Sequence, residues 1–187
     1  MKTTFLTTAK AAAAALLLGT GAAFAAENPM VGGAPMFAER NIVENAVNSE
    51  DHTTLVAAVQ AAELVDALQG PGPMTVFAPV NAAFDMLPEG TVETLLEPEN
   101  QGMLQRILTS HVVAGNLSGA EIMRRARNSS DGFFHMETLS GAPLSAQVRG
   151  NSLWIHDQSG NAGRVTISDV NQSNGVIHVV NRVLLPR

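Results

Sequence analysis

The feature that most constrains this chain is its C-terminal run, Val176-Ile177-His178-Val179-Val180, carried on through Asn181-Arg182 to Val183-Leu184-Leu185 and stopped by Pro186. A run of mostly β-branched residues with so little polar alternation suits a strand covered on both faces, not one lying open to water. Asn174-Gly175 ahead of it reads as a turn with positive backbone torsions available. A second segment, Thr75-Val76-Phe77-Ala78, reads as another buried strand, ended by Pro79.

Helical periodicity fills most of the chain before these strands' partners appear. Ile42, Val43, Ala46 and Val47 share one face of a short helix. Thr53 or Thr54 is placed to cap a second helix carrying Leu55, Val56 and Val59. That helical region continues through Leu64, Val65 and Leu68 to the breakers Gly70-Pro71-Gly72-Pro73. Asn81 is expected to cap a turn holding Phe84 and Leu87, and Thr91 to open a short helix with Leu95 and Leu96. Met103, Leu104, Ile107 and Leu108 form a helical stripe leading into His111-Val112-Val113. Ser118 and Glu121 match a capping box. After the 128–132 loop the period changes to two, in Phe134/Met136/Thr138, Leu144/Ala146/Val148, Leu153/Ile155 and Val165/Ile167. Helices first and strands second, with one early strand joining the later sheet, predict a single α+β domain over residues 41–187.

The N-terminus is read separately. Lys2 and Lys10 precede the apolar stretch Ala11–Leu18, and Ala23-Phe24-Ala25 follows, which is the layout of a cleaved secretory signal peptide over residues 1–25. About eight apolar residues are too few for a bilayer, which needs ~20, so the chain is not expected to be an integral membrane protein. Residues 26–40, rich in Gly, Pro and Ala, read as a flexible leader.

Removal of residues 1–25 takes away both lysines and leaves nine arginines against seventeen acids, a net charge of −8. That sign argues against nucleic acid as a partner, because phosphate affinity comes from basic patches. The absence of lysine excludes Schiff-base chemistry, and the absence of cysteine excludes thiol catalysis and disulfides. A domain without disulfides has to be stabilised by its core, and at this length ~70% of the unfolded surface is buried.

Four segments, in order, carry a resemblance to the fasciclin domain: the Thr54–Gly70 helices with Pro71-Gly72-Pro73, the segment Thr75–Pro88, Leu108-Thr109-Ser110-His111-Val112-Val113-Ala114-Gly115, and the strand Asn174–Pro186. The resemblance runs from about Asn41 to Pro186. It implies a compact wedge or sandwich of about seven strands with the helices of the first half packed on it, and an extracellular module associated with adhesion. Animal adhesion members carry a tyrosine immediately before the histidine of the third segment, in a region implicated in integrin binding. Here the position is Ser110 and the chain has no tyrosine, so integrin recognition does not carry over.

No spacing of the five histidines forms a zinc motif such as H-E-x-x-H, so no metal or cofactor is expected. His111 and His178, hemmed in by valines, read as buried imidazoles bonded to backbone. Together with Asn174 and Gly175 they form the structural motif set. His135 and His156 lie on alternating strands and read as facing water. No nucleophile elbow is present, and Ser110 beside His111 is the single adjacent serine–histidine pair. No catalytic residue is therefore assigned. Asn81, Phe84, Asp85 and Ser110 are the candidate partner surface. The leading reading is a secreted or periplasmic, non-enzymatic module attaching cells to each other or to a matrix or cell-surface component. A carrier of a small hydrophobic lipid or pigment is the alternative, with an esterase-like hydrolase behind it.

Overall fold

The computed structural model describes residues 28–187, so the expected signal peptide and its cleavage point lie outside the described residues. The first elements are a small hairpin, β1 (Met30–Val31) and β2 (Ala34–Pro35), turned by Gly32 and Gly33 at φ 55° and 76°. Of the flexible leader expected over 26–40, the described part from residue 28 on is docked on the domain. Val31 and Met36 are buried in the core, and the Glu50 amide donates to the Gly32 carbonyl (3.0 Å). Two apolar side chains and a two-glycine turn are enough to dock a segment too short to show any period.

Five short helices follow: α1 (Ile42–Ala46), α2 (Thr53–Ala61), α3 (Val65–Gln69), then, after strand β3 (Met74–Pro79), α4 (Asn81–Phe84) and α5 (Thr91–Leu95). What looks like one helical region from residue 53 to 69 is two helices, because Glu63 sits in the left-handed region at φ 55°. Helix α6 (Gln101–Thr109) leads into β4 (Val112–Ala114), and α7 (Gly119–Asn128) precedes five strands. These are β5 (Phe133–Glu137), β6 (Pro143–Arg149), β7 (Ser152–His156), β8 (Ala162–Gln172) and β9 (Gly175–Val180). The final strand thus ends at Val180, earlier than the apolar run suggests. Val183 and Leu184 are buried beyond it without belonging to the sheet.

Seven strands form one mixed sheet in the order β4-β3-β9-β8-β7-β6-β5. Only β3 and β9 pair in parallel, with Phe77 opposite His178. The two edges curl towards each other: Val113 bridges to Thr138, and the Leu139 amide donates to the Val112 carbonyl (2.8 Å). The result is nearly a closed barrel, which leaves little free edge.

Two apolar clusters lie on opposite faces of the β3–β9 pair. Phe77, Val113, Met136, Leu144, Ala146, Leu153, Ile155 and Val180 fill the barrel, plugged by Ile122 of α7 and by Leu184. Val76, Ala78, Ile177 and Val179 point the other way, against Ile42, Leu55, Val59, Leu104 and Leu108 of the helical layer. Every residue of β3 and of β9 is therefore buried, and this two-sided cover is why neither strand alternates in the sequence.

Candidate functional site

The family-like segments converge where β3, β9 and the helical layer meet. His111 follows the end of α6 and is buried. Its Nδ1–H donates to the Ile107 carbonyl (2.8 Å), and Nε2 accepts the Leu184 amide (2.8 Å). Those partners require the neutral imidazole with its proton on Nδ1. Burial lowers its pKa from 6.5 to about 4, opposed by the Ile107 carbonyl and the Asp157 carboxylate. His178 stands in β9 inside the barrel, stacked on Phe77 at 5.6 Å between ring centres. Its Nε2–H donates to the Leu117 carbonyl (2.8 Å) and Nδ1 accepts the Asp169 amide (3.2 Å). Burial lowers this pKa as well. His52, also buried, bonds Ser49 Oγ through Nδ1 (2.8 Å), and desolvation again lowers its pKa.

Asn174 sits at the start of β9 and joins three segments. Its Oδ1 accepts the Ile42 amide (3.1 Å), while Nδ2 donates to the carbonyls of Leu68 (2.8 Å) and Gly70 (3.1 Å). Gly175 has no positive φ, contrary to the turn reading. It is required for a different reason: a Cβ at this position would run into the Met74 carbonyl of the parallel neighbour.

The four residues expected to form a partner surface do not form one. Phe84 is 8% exposed and packs into the helical-side core, and Ser110 is 1% exposed. The Ser110 hydroxyl donates to the Arg106 carbonyl (2.7 Å), satisfying the last turn of α6, and meets Ser140 Oγ at 2.8 Å. Asn81 is half-buried and caps not its own helix but α2. Its Oδ1 accepts the Thr54 amide (3.0 Å) and Nδ2 donates to the Glu50 carbonyl (2.8 Å). Asp85 alone of the four is exposed. Met86 beside it is 52% exposed, so the surface of this turn is carried by its neighbours.

Ser110 and His111 share no hydrogen bond, and both ring nitrogens of His111 are occupied within the fold, so the pair is not a nucleophile and its base. Two nearby acids serve the backbone. Asp157 accepts the amides of Ser159, Asn161 and Leu185 (2.9, 2.9 and 2.8 Å), and Asp169 accepts the Gly119 amide at the start of α7 (2.8 Å). The capping box on α7 is half-formed. Ser118 accepts the Glu121 amide (3.2 Å), but the Glu121 carboxylate turns to Arg124 and Arg125, which hold it below the usual carboxylate range. Among the described residues no group of His, Asp or Glu is placed to hold a metal ion, and no helix is long and apolar enough to cross a membrane.

One cavity lies against this motif region. Between the helices and β3/β9 the packing leaves a space of about 80 Å³, bounded by Val43, Leu55, Val59, Leu68, Val76 and Ile177, with Gln60 and His111 as its polar neighbours.

The fasciclin domain family model matches residues 50–186. The chain belongs to the fasciclin domain family. Protein sll1483 of Synechocystis is 45% identical over 145 residues, covering 78% of this chain and 73% of that one. Cell surface glycolipoprotein MPB83 of Mycobacterium bovis is 36% identical over 187 residues, covering 96% of this chain and 77% of the relative. The solved FAS1 domain pair from the insect cell adhesion molecule fasciclin I superposes with a TM-score of 0.57 at 21% identity, over 68% of this chain. This chain spans 42% of that pair. The likeness to the insect structure concerns the fold, a single fasciclin domain whose nearly closed seven-stranded sheet carries α1–α6 on one side and α7 against the barrel.

Proposed function

We propose that this fasciclin domain is an exported, non-enzymatic binding module that attaches cells to one another or to a matrix component. The observation that carries the reading is the match along nearly the whole chain to a relative described as a cell surface glycolipoprotein. The motif histidines agree with it: both spend their ring nitrogens on the fold and leave none for chemistry. The test is attachment of cells to beads coated with the mature protein, at low and high ionic strength. Attachment should fall as salt rises, because exposed charges at −8 net are screened beyond ~10 Å at 0.1 M. Asp85→Ala, which removes the exposed carboxylate of the motif turn, should weaken it. No attachment under any condition refutes the reading.

A second reading, a carrier of a small hydrophobic ligand, is supported by the apolar space under the helical layer. At about 80 Å³ it is smaller than the ~300–1,000 Å³ of ordinary ligand pockets, so a lipid or pigment would have to displace α1–α3. Organic extraction and mass spectrometry of protein from its native source decides this: a stoichiometric apolar compound supports the carrier, and a clean extract removes it.

A further inference from the structure

The outer face of strands β5, β6 and β7 looks away from the barrel core. Register places His135 of β5 opposite Ser145 of β6, and Ser145 opposite His156 of β7. Alternation turns these three side chains outward, because Met136, Leu144, Ala146 and Ile155 beside them fill the barrel. His135 is exposed and Ser145 half-buried. This row lies away from the motif region and the apolar cavity, and nothing assigned so far uses it.

Three side chains are linked here in sequence. Asp131 Oδ2, from the loop ahead of β5, lies 2.9 Å from His135 Nε2, and His135 Nδ1 lies 2.8 Å from Ser145 Oγ. A carboxylate can only accept, so Nε2 carries the proton, and in the neutral ring Nδ1 is left to accept from the Ser145 hydroxyl. Asp131 is itself fixed: its Oδ1 accepts from the Ser129 hydroxyl (2.6 Å) and the Phe133 amide (3.0 Å). Its bonds to Ser129, His135 and Phe133 hold the carboxyl below the usual carboxylate range. A hydroxyl bonded to a base that a third group orients is the arrangement that activates a serine, and it is what Ser110 and His111 lack. The Phe133 ring stands 6.3 Å from the His135 ring and 5.5 Å from the His156 ring, which gives the row an apolar neighbour.

We propose that Ser145 is an acyl-accepting nucleophile, with His135 as its base and Asp131 as the positioning residue, and that it takes the acyl group of an activated aryl ester. Ser145 Oγ attacks the ester carbonyl while its proton passes to His135 Nδ1. The new C–O bond forms, the bond to the aryl oxygen breaks, and the aryl oxide departs with the proton returned by His135. Phe133 offers the aryl group a ring to pack on. The reaction stops at one acylation. Strand β6 is paired on both sides, so its backbone amides are spent in the ladders instead of facing a developing oxyanion, where each donor contributes ~10²–10³ in rate. An aryl oxide leaves without that help and a serine alkoxide does not, so the acyl-serine persists. The proposal stands apart from the attachment reading: a single acylation keeps the module non-enzymatic, and bead attachment is measured with no ester present.

The full mature chain is incubated with p-nitrophenyl acetate while p-nitrophenolate release is followed, and intact mass with peptide mapping locates the acetyl group. The only lysines, Lys2 and Lys10, lie in the expected signal peptide, so the α-amino group is the one competing amine. A burst of a single equivalent, with the acetyl group on Ser145, is expected. Ser152→Ala, which changes another serine on the outer face of β7, should keep that burst. Ser145→Ala should abolish it, and His135→Gln should slow it roughly a hundredfold, the low end of general-base catalysis. Asp131→Asn should slow it roughly tenfold, the scale of a lost charge-assisted bond. It should also loosen the proton preference of His135 in imidazole nitrogen NMR, at unchanged melting temperature. Acetyl on the α-amino group alone, equal labelling of Ser145 and Ser152, or full-rate labelling in His135→Gln overturns the proposal.

Discussion

His111 should act as an acid-labile clamp on the C-terminus, and its contribution can be worked from its surroundings. The unfolded imidazole takes up a proton near 6.5 and the folded one only near 4. Between those values the unfolded chain holds more protons, so stability falls as pH falls. The full difference corresponds to about 3 kcal/mol at ~1.36 kcal/mol per pH unit. Between pH 7 and pH 5 the same linkage gives a loss of about 2 kcal/mol from this one group. The mechanism is local: a protonated Nε2–H would face the Leu184 amide instead of accepting it, and a plug of the barrel core would lose its tether. Urea midpoints measured at pH 7, 6 and 5 should fall steeply, and His111→Gln, which cannot titrate, should remove about 2 kcal/mol of that fall while starting from a lower midpoint. His52 and His178 are shifted in the same direction, so some acid sensitivity remains in the variant. An identical pH slope in parent and His111→Gln would refute the argument.

His178→Ala should cost on the order of 2–4 kcal/mol in thermal or urea unfolding, from the cavity beside Phe77 and the two unpaired backbone groups it leaves. Gly175→Ala should destabilise by about 3 kcal/mol, since the added methyl group meets a backbone carbonyl that cannot rotate away; a melting temperature within a degree of the parent would contradict this. Asn81→Ala removes the cap of α2 and should cost about 1–2 kcal/mol, seen as faster amide exchange at Thr54. N-terminal sequencing of exported protein should begin at Ala26, and an intact Met1 there would rule out cleavage.

The layers of this fold were legible wherever burial imposes a period. Alternation in β5 to β8 marks strands with one face in the barrel, and the unbroken run of β9 marks one with none exposed. What remained hidden depends on contacts distant in sequence. Asn81 and Asn174 read as local caps and turns, yet their amides join segments 27 to 132 positions away, and no local pattern encodes that. Gly175 was legible as a required glycine, but the reason is a neighbouring strand, visible only once β3 lies beside it. Phe84 and Ser110 read as surface because both fall in the family-like motif segments, whereas Phe84 packs into the helical-side core and Ser110 is enclosed between the last turn of α6 and Ser140. The change of partner part-way along β8, from β7 to β9, leaves no trace in the alternation either.

The parallel pairing of β3 with β9 sets a schedule for the chain. Met74 meets Gly175, so about a hundred residues separate the two halves of the innermost pair, and β9 ends seven residues before the C-terminus. The second strand covered on both faces is therefore supplied last. A chain crossing a membrane N-terminus first would deliver the helices, β3 and its short antiparallel partner β4 into the far compartment before the parallel partner β9 is there, and loop closure on this scale is slow. On that route the domain would stay threadable until translocation is almost complete, then close in one late event when β9 slots between β3 and β8. Loss of even the last dozen residues would leave a chain with every helix present and no middle to fold around.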